Sequence, residues 1–414
     1  MSNDGVVNLL KNIGTLAVCP EDGKQENIQL IHDAALAWKD DTIIWSGWEA
    51  NMPEFQEIVE VHDAEGRLVI PGLIDCHTHL AFGGWRPEEF EMRSLGRTYE
   101  QIASAGGGIL STMKSTRAIS QDDLFAKCSM LLDKMISLGV TTIECKSGYG
   151  LTVEDELKQL QVYRKLQSQS QIRMLSTFLG AHAIPPEYKH NRNGYVDLVV
   201  NEMLPRVIEG KLAQFCDVFA DAPAFTNEEA ESILTEAKSK GLTPKLHADQ
   251  LTANGGAELA AKVGAISADH LECISDEGIR AMSEAGTVAV SLPLASYYLR
   301  KDPLPARSLI EAEVPVAVST DFNPGSAPSY HLPMAMHLAC TLQYMSPAEV
   351  LKGATIFGAK ALGLEDEVGS LEHGKKADFV ELDVASVNQW MYHFQPNCAA
   401  RVWAGGDLVI EELI

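Results

Sequence analysis

The sequence predicts an α/β protein: a (β/α)8 TIM-like barrel carrying a small β-sandwich domain formed from both chain termini. Three observations point there. Eight short, β-branched apolar runs recur along the chain, each followed by a helix-like stretch. The two ends of the chain carry short strand-and-turn patterns instead. Side chains able to hold a metal ion sit at the C-terminal ends of the central runs.

In order, the runs are LVIPGLID (68–75), TTIECKS (141–147), IRMLSTFLGAH (172–182), FCDVFAD (215–221), TPKLHAD (243–249), AISADH (265–270), TVAVSLP (287–293) and VPVAVST (314–320). Nearly continuous apolar strands alternating with helices imply a parallel sheet covered on both faces. Eight such units match a closed barrel. An open doubly wound sheet is the second reading, but no GxGxxG follows the first run, which disfavours dinucleotide binding.

The ends read differently. ALAWKDDTIIWSG near the start has DD and SG as turn residues, and GSLEHGKKADFVELDV and RVWAGGDLVIEE near the end look like hairpin strands. The expected division is therefore 1–65 with 366–414 as one composite β domain, and 66–365 as the barrel. The longest connection, within residues 80–140, follows the first barrel strand, where substrate contacts tend to be built. Its AGGGI stretch reads either as a backbone cradle for an anion or as a helix-start turn.

Of the 414 residues, 33 are Lys or Arg and 57 are Asp or Glu, giving a net charge of −24. That disfavours nucleic acid and anionic lipid, whose phosphates need a basic surface. It does not exclude a small anionic substrate, because one placed Arg outweighs a distant field. A hydrophobic share of 46% excludes a disordered chain. There is no long uninterrupted apolar run for a membrane span, and MSNDGVVNLLKNIG does not read as a signal peptide. The eight cysteines are scattered without CxxC spacing. Reduced, buried thiols and a cytoplasmic location are expected.

The chemistry lies at the strand ends. His77 and His79 end the first run, His182 the third and His270 the sixth; His247 lies near the end of the fifth and Asp321 follows the eighth. A closed barrel brings these ends to one face. Residues i and i+2 of a strand share a face, so His77 and His79 can reach one ion. With His247 and Asp321 they form a set suited to Zn2+ or Fe2+, and the residues do not choose between them. Such an ion lowers the pKa of a coordinated water from about 15.7 to about 7. Asp321 beside it can accept the proton and pass it to a departing nitrogen. His270 can hydrogen-bond the attacking water or the oxyanion, or orient a ligand from behind. These residues read as metal-assisted hydrolysis of a C–N bond.

PGLIDCHTHL, HAD, SADH and STDFNPGSAP together resemble the amidohydrolase superfamily. Across nearly the whole chain, HTHLAFGGWR (77–86), AGGGILSTMKSTR (105–117), KSGYGL (146–151), GAHAIPPEY (180–188), KLHADQL (245–251), GGAELA (255–260) and TDFNPGSAP (320–328) are similar to the imidazolonepropionase family. The resemblance implies hydrolysis of 4-imidazolone-5-propanoate to N-formimidoyl-L-glutamate in histidine degradation. It implies one zinc or iron ion on His77, His79, His247 and Asp321, and a possible homodimer. It implies that Arg86 binds the substrate carboxylate, for which a guanidinium fork is well matched. Tyr149, His182, Asn323, Gly325 and Ser326 fall at the family's substrate-contacting positions, with Tyr99 a weaker candidate on the long loop.

Two positions depart from relatives. Some family members have Glu where this chain has Gln250. An amide is neither acid nor base near neutral pH. The proton work is therefore expected of Asp321, assisted by His270, with Gln250 binding the ring. Binuclear amidohydrolases bridge two ions with a lysine on the fourth strand, and FCDVFAD has none; Lys146 ends the second strand instead. A single ion is expected. The competing readings are a mononuclear cytosine- or guanine-type deaminase and a non-enzymatic scaffold. Against the first stand Arg86, Tyr149 and DFNPGS; against the second, the presence of all four ligands.

Overall fold

The computed structural model describes residues 7–97, 101–102, 106–393 and 395–411. The chain opens with five strands: β1 (Val7–Ala17), β2 (Leu30–Lys39), β3 (Thr42–Trp48), β4 (Ile58–Asp63) and β5 (Leu68–Pro71). Eight barrel strands follow: β6 (Leu73–Thr78), β7 (Val140–Lys146), β8 (Arg173–Ala181), β9 (Phe215–Ala220), β10 (Thr243–Ala248), β11 (Ser267–His270), β12 (Val288–Ser291) and β13 (Val316–Val318). The chain then returns with β14 (Phe379–Leu382), β15 (Ala399–Ala404) and β16 (Asp407–Glu411).

The first and last groups share one sheet of order β16-β15-β14-β5-β1-β2-β3, with β4 also on β1. β1 forks: it pairs β4 along Val7–Lys11 and β5 at Thr15 and Leu16. Residues from both termini fill one apolar cluster that includes Leu36, Trp38, Val69, Phe379 and Trp403. Phe379 stacks on Trp403 at 4.5 Å between ring centroids. The β15–β16 turn is the two-residue Gly405-Gly406, both at positive φ, as a tight hairpin requires.

One expected strand proves to be two. The run at 68–75 is not a single barrel strand. Leu68–Pro71 pairs with β1 and β14 in the terminal sheet, and the barrel begins at Leu73. All of these residues are buried, so apolarity alone carries no boundary. Gly72 is the pivot: a Cβ there would lie 2.1 Å from Thr141 Oγ1.

The eight barrel strands are parallel and lie in chain order. Several following helices are capped by hydroxyls: Ser120, Thr152, Thr226 and Ser275 each accept a backbone N–H from the helix's first turn. The seam between β13 and β6 is closed by few ladder bonds. Asp321 N donates to His77 O at 3.1 Å and His79 N to Phe322 O at 2.8 Å. Fully buried Asp75 does the rest. It accepts from Ser319 Oγ, from Thr320 N at 3.0 Å and from Thr320 Oγ1 at 2.7 Å. Ser319 Oγ in turn accepts from His77 N at 2.8 Å. Among the described residues, no helix is long and apolar enough to cross a membrane. The eight cysteines are free thiols.

Asp75→Ala strands several buried donors at the seam. It is expected to cost about 2–4 kcal/mol of unfolding free energy. Urea denaturation checks this; a loss below about 0.5 kcal/mol would show that the seam closes without it.

Candidate active site

The imidazoles at the barrel mouth are aimed by carboxylates behind them. His77 Nδ1 donates to Asp269 Oδ2 at 2.6 Å. His247 Nδ1 lies 2.9 Å from Asp217 Oδ2. Each ring then presents its Nε2 to the pocket, and both Nε2 atoms are buried without a hydrogen-bond partner. The Nε2 atoms of His77 and His79 each lie 3.5 Å from Asp321 Oδ1. One donor atom each from His77, His79 and His247 falls within 4.8 Å of the others, and the same holds for His77, His270 and Asp321. Orphaned buried nitrogens converging beside a carboxylate fit a small divalent cation.

The electrostatics agree at two of the three rings. Burial, reinforced by neighbouring imidazoles, holds His79 well below the ordinary imidazole range. Burial takes His247 down to about 4 even though Asp217 opposes it. Neutral rings are the ligand form. Burial alone would raise Asp321, but its bond to His77 and the nearby histidines bring it below the usual carboxylate value. For His77, burial and Lys146 act downward and Asp269 overcomes them, lifting it to about 8.

The predicted substrate-side residues surround this cluster. His182 stacks on His79 at 5.2 Å, and its Nδ1 donates to Gly148 O at 3.0 Å. Tyr149 is buried, its ring 5.7 Å from His79 and 5.3 Å from His182. Asn323 Oδ1 accepts from Gly325 N at 2.7 Å and Ser326 N at 2.8 Å, folding DFNPGS into a tight turn. Ser326 Oγ donates to Asp321 Oδ2 at 3.3 Å. Asp321 and His270 hold φ of 53° and 81°, left-handed conformations unusual for these residues.

Arg86 comes from the long loop and lies against the DFNPGS turn. A Cβ on Gly325 would sit 2.5 Å from Arg86 Nη1, so a side chain there would displace the guanidinium. Glu89 fixes it, accepting from Arg86 Nε at 2.9 Å, with Nη2 also at 2.9 Å. The other Glu89 oxygen accepts from Gly108 N at 2.9 Å, just before the helix Ile109–Ala118. The glycine run is thus a helix start that captures the protein's own Glu89 carboxylate. Gln250 lies two residues beyond β10, part-buried, and its side chain bonds to no other site residue among the described residues. Tyr99 lies outside the described residues.

Sequence reasoning missed the supports: Glu89, Glu144, Asp217, Asp269 and Glu272. A signal was available for three of them. Glu144, Asp217 and Asp269 sit inside apolar strands, and a buried carboxylate needs a partner. Glu272 is part-buried, accepts from Ser296 Oγ at 2.9 Å and lies 3.7 Å from His270 Nδ1. A cavity of about 360 Å³ lies elsewhere, against Trp390 and Met391. Its His331 and His337 already bond the Pro396 and Met391 carbonyls.

The Amidohydrolase family profile matches residues 68–409. A protein named imidazolonepropionase from Shouchella clausii is 49% identical over 353 residues, 85% of this chain and 79% of that protein. One of the same name from Shewanella baltica is 47% identical over 381 residues, 92% of this chain and 93% of that one. Among solved structures, a triazine hydrolase variant aligns with a TM-score of 0.78 at 17% identity, covering 98% of this chain and 95% of that one. The E. coli guanine deaminase aligns with a TM-score of 0.72 at 16% identity, covering 98% and 99%. Likeness at that identity speaks to the barrel fold alone.

Proposed function

The chain belongs to the amidohydrolase family, among the imidazolonepropionases, and on that footing we propose how its pocket works. It is a hydrolase of a cyclic-amide C–N bond, opening 4-imidazolone-5-propanoate to N-formimidoyl-L-glutamate in histidine degradation. The observation that carries the assignment of roles is spatial. Three imidazoles come together, His270 and Asp321 group with one of them, and Arg86, held by Glu89, lies against the turn that follows Asp321.

His77, His79, His247 and Asp321 would hold one Zn2+ or Fe2+ ion. Bound there, the ion would polarise the ring carbonyl and bring a water's pKa near neutrality. Asp321 takes the water proton. Its second oxygen, 3.3 Å from Ser326 Oγ, is steadied for that transfer and for returning the proton to the leaving ring nitrogen. His270, buried beside it, donates to the developing oxyanion. Arg86 has Nε and Nη2 committed to Glu89, which leaves Nη1 for the substrate carboxylate. Tyr149 and His182 wall the ring, and Asn323 shapes the turn that brings Gly325 and Ser326 to the substrate. Gln250 hydrogen-bonds the ring and carries no proton. Free thiols throughout support a reducing, cytoplasmic setting.

A cytosine- or guanine-type deaminase is not favoured. Those bases carry no carboxylate for Arg86, and relatives at 47–50% identity are named imidazolonepropionase. The direct test supplies freshly generated imidazolone propanoate, with cytosine and guanine as controls. The imidazolone absorbance is expected to fall without ammonia release, to stop with a chelator and to recover on adding Zn2+ or Fe2+. Ammonia from either base would favour the deaminase.

Two variants test the roles. Asp321→Asn is expected to lower kcat by about 10²–10⁴-fold, the usual contribution of a proton shuttle. Gln250→Ala should lose far less and mainly raise KM. Equal kcat losses with metal content intact would place the proton on the wrong residue. Gly325→Ala pushes Arg86 from its seat. It is expected to lower kcat/KM by roughly 10–100-fold, chiefly through KM, the worth of a charged hydrogen bond. An unchanged KM would detach Arg86 from the substrate.

A further inference from the structure

Behind the imidazoles, one buried ammonium touches both carboxylates that aim them. Lys146 ends β7 and is fully buried. Its Nζ lies 2.8 Å from Glu144 Oε1, 2.8 Å from Asp217 Oδ2 and 3.4 Å from Asp269 Oδ2. Asp217 continues to His247 at 2.9 Å, and Asp269 to His77 at 2.6 Å. Thus a single cation on β7 stands one carboxylate away from a ring on β10 and a ring on β6. The hub is itself pinned. Thr177 Oγ1 donates to Glu144 Oε1, and Tyr163 OH donates to the Lys146 carbonyl at 2.8 Å.

We propose that Lys146 is a positioning residue that fixes Asp217 and Asp269, and through them aims the Nε2 atoms of His247 and His77 at one point. Without it, three carboxylates would share a closed space and repel one another. Ser267 Oγ still holds Asp269 Oδ1 at 2.7 Å and His247 N still holds Asp217 Oδ1 at 3.1 Å, so the loss would fall on the Oδ2 atoms that face the rings, and each ring would be aimed less firmly. Outer partners of this kind usually alter metal affinity by about 10–100-fold. The geometry also separates Lys146 from a bridge between two ions, since its Nζ is already shared among three carboxylates. The proposal rests on the metal-holding role given above to His77 and His247.

The test uses the full chain and reads metal binding rather than turnover. Lys146→Met removes the ammonium at similar volume. Lys146→Met with Glu144→Gln also removes one carboxylate, relieving the charge imbalance while leaving Asp217 and Asp269 in place. Zn2+ affinity is measured by chelator competition, the Co2+-loaded protein by its visible absorption, and folding by thermal melting. The expected result is a folded double variant that binds Zn2+ about 10–100-fold more weakly and shows an altered Co2+ spectrum. A folded variant with wild-type affinity and spectrum would overturn the proposal. So would failure of both variants to fold, which would assign Lys146 to the barrel core alone. Wild-type protein that binds no divalent ion would instead overturn the metal reading on which the proposal stands.

Discussion

The pocket depends on burying carboxylates beside imidazoles. Asp269 against His77 and Asp217 against His247 are both fully enclosed pairs. A carboxylate in such a place is costly unless it is paired and hydrogen-bonded. Here the pairing orients the ring. With Nδ1 of His77 hydrogen-bonded to Asp269, and that of His247 2.9 Å from Asp217, each ring turns its Nε2 the other way. The barrel supplies both members of each pair on different strands, so the orientation is locked to the closure of the sheet. That is why the β13–β6 seam matters for chemistry: the hydrogen bonds that close it run through the backbone of His77, His79 and Asp321.

Strand ends were legible in the sequence because a parallel barrel writes them plainly. Five of the eight apolar runs end at or beside a candidate histidine or aspartate, and the closed topology says that those ends meet. His77, His79, His247, His270 and Asp321 can therefore be grouped from the sequence, and the structure brings them together. The boundary at Gly72 was not legible. Leu68–Pro71 and Leu73–Thr78 are equally buried in two different cores, and hydrophobicity does not record which. The supporting carboxylates were hidden for a related reason. Asp217 and Asp269 are single letters inside strands, and their partners lie on other strands, at no fixed spacing in sequence.

Gln250 and Glu272 show how chemistry and position separate. An acidic side chain at position 250 would be an obvious base, and this chain has an amide there. The part-buried Glu272 instead lies near His270, 3.7 Å from its Nδ1, and is braced by Ser296. At 3.7 Å it stands near the imidazole without hydrogen-bonding it, unlike Asp269 at His77. Carboxylates in this site mostly work by holding rings, and Asp321 is the exception that faces the pocket itself.

The charge of −24 sets a further constraint on how an anionic substrate is held. A long-range field of that sign works against capture, although salt screens it beyond roughly 8–10 Å. Attraction must therefore be short-range and already oriented. Arg86 meets that need because its pose is fixed before the substrate arrives: Glu89 holds one edge, Gly108 holds Glu89, and Gly325 leaves room for the guanidinium to lie flat. Little side-chain entropy is then left to lose on binding. Glu89 also neutralises much of the arginine's charge at a distance. What remains is directional, and a carboxylate that reaches Nη1, which has no hydrogen-bond partner among the described residues, gains a bond that a passing anion does not.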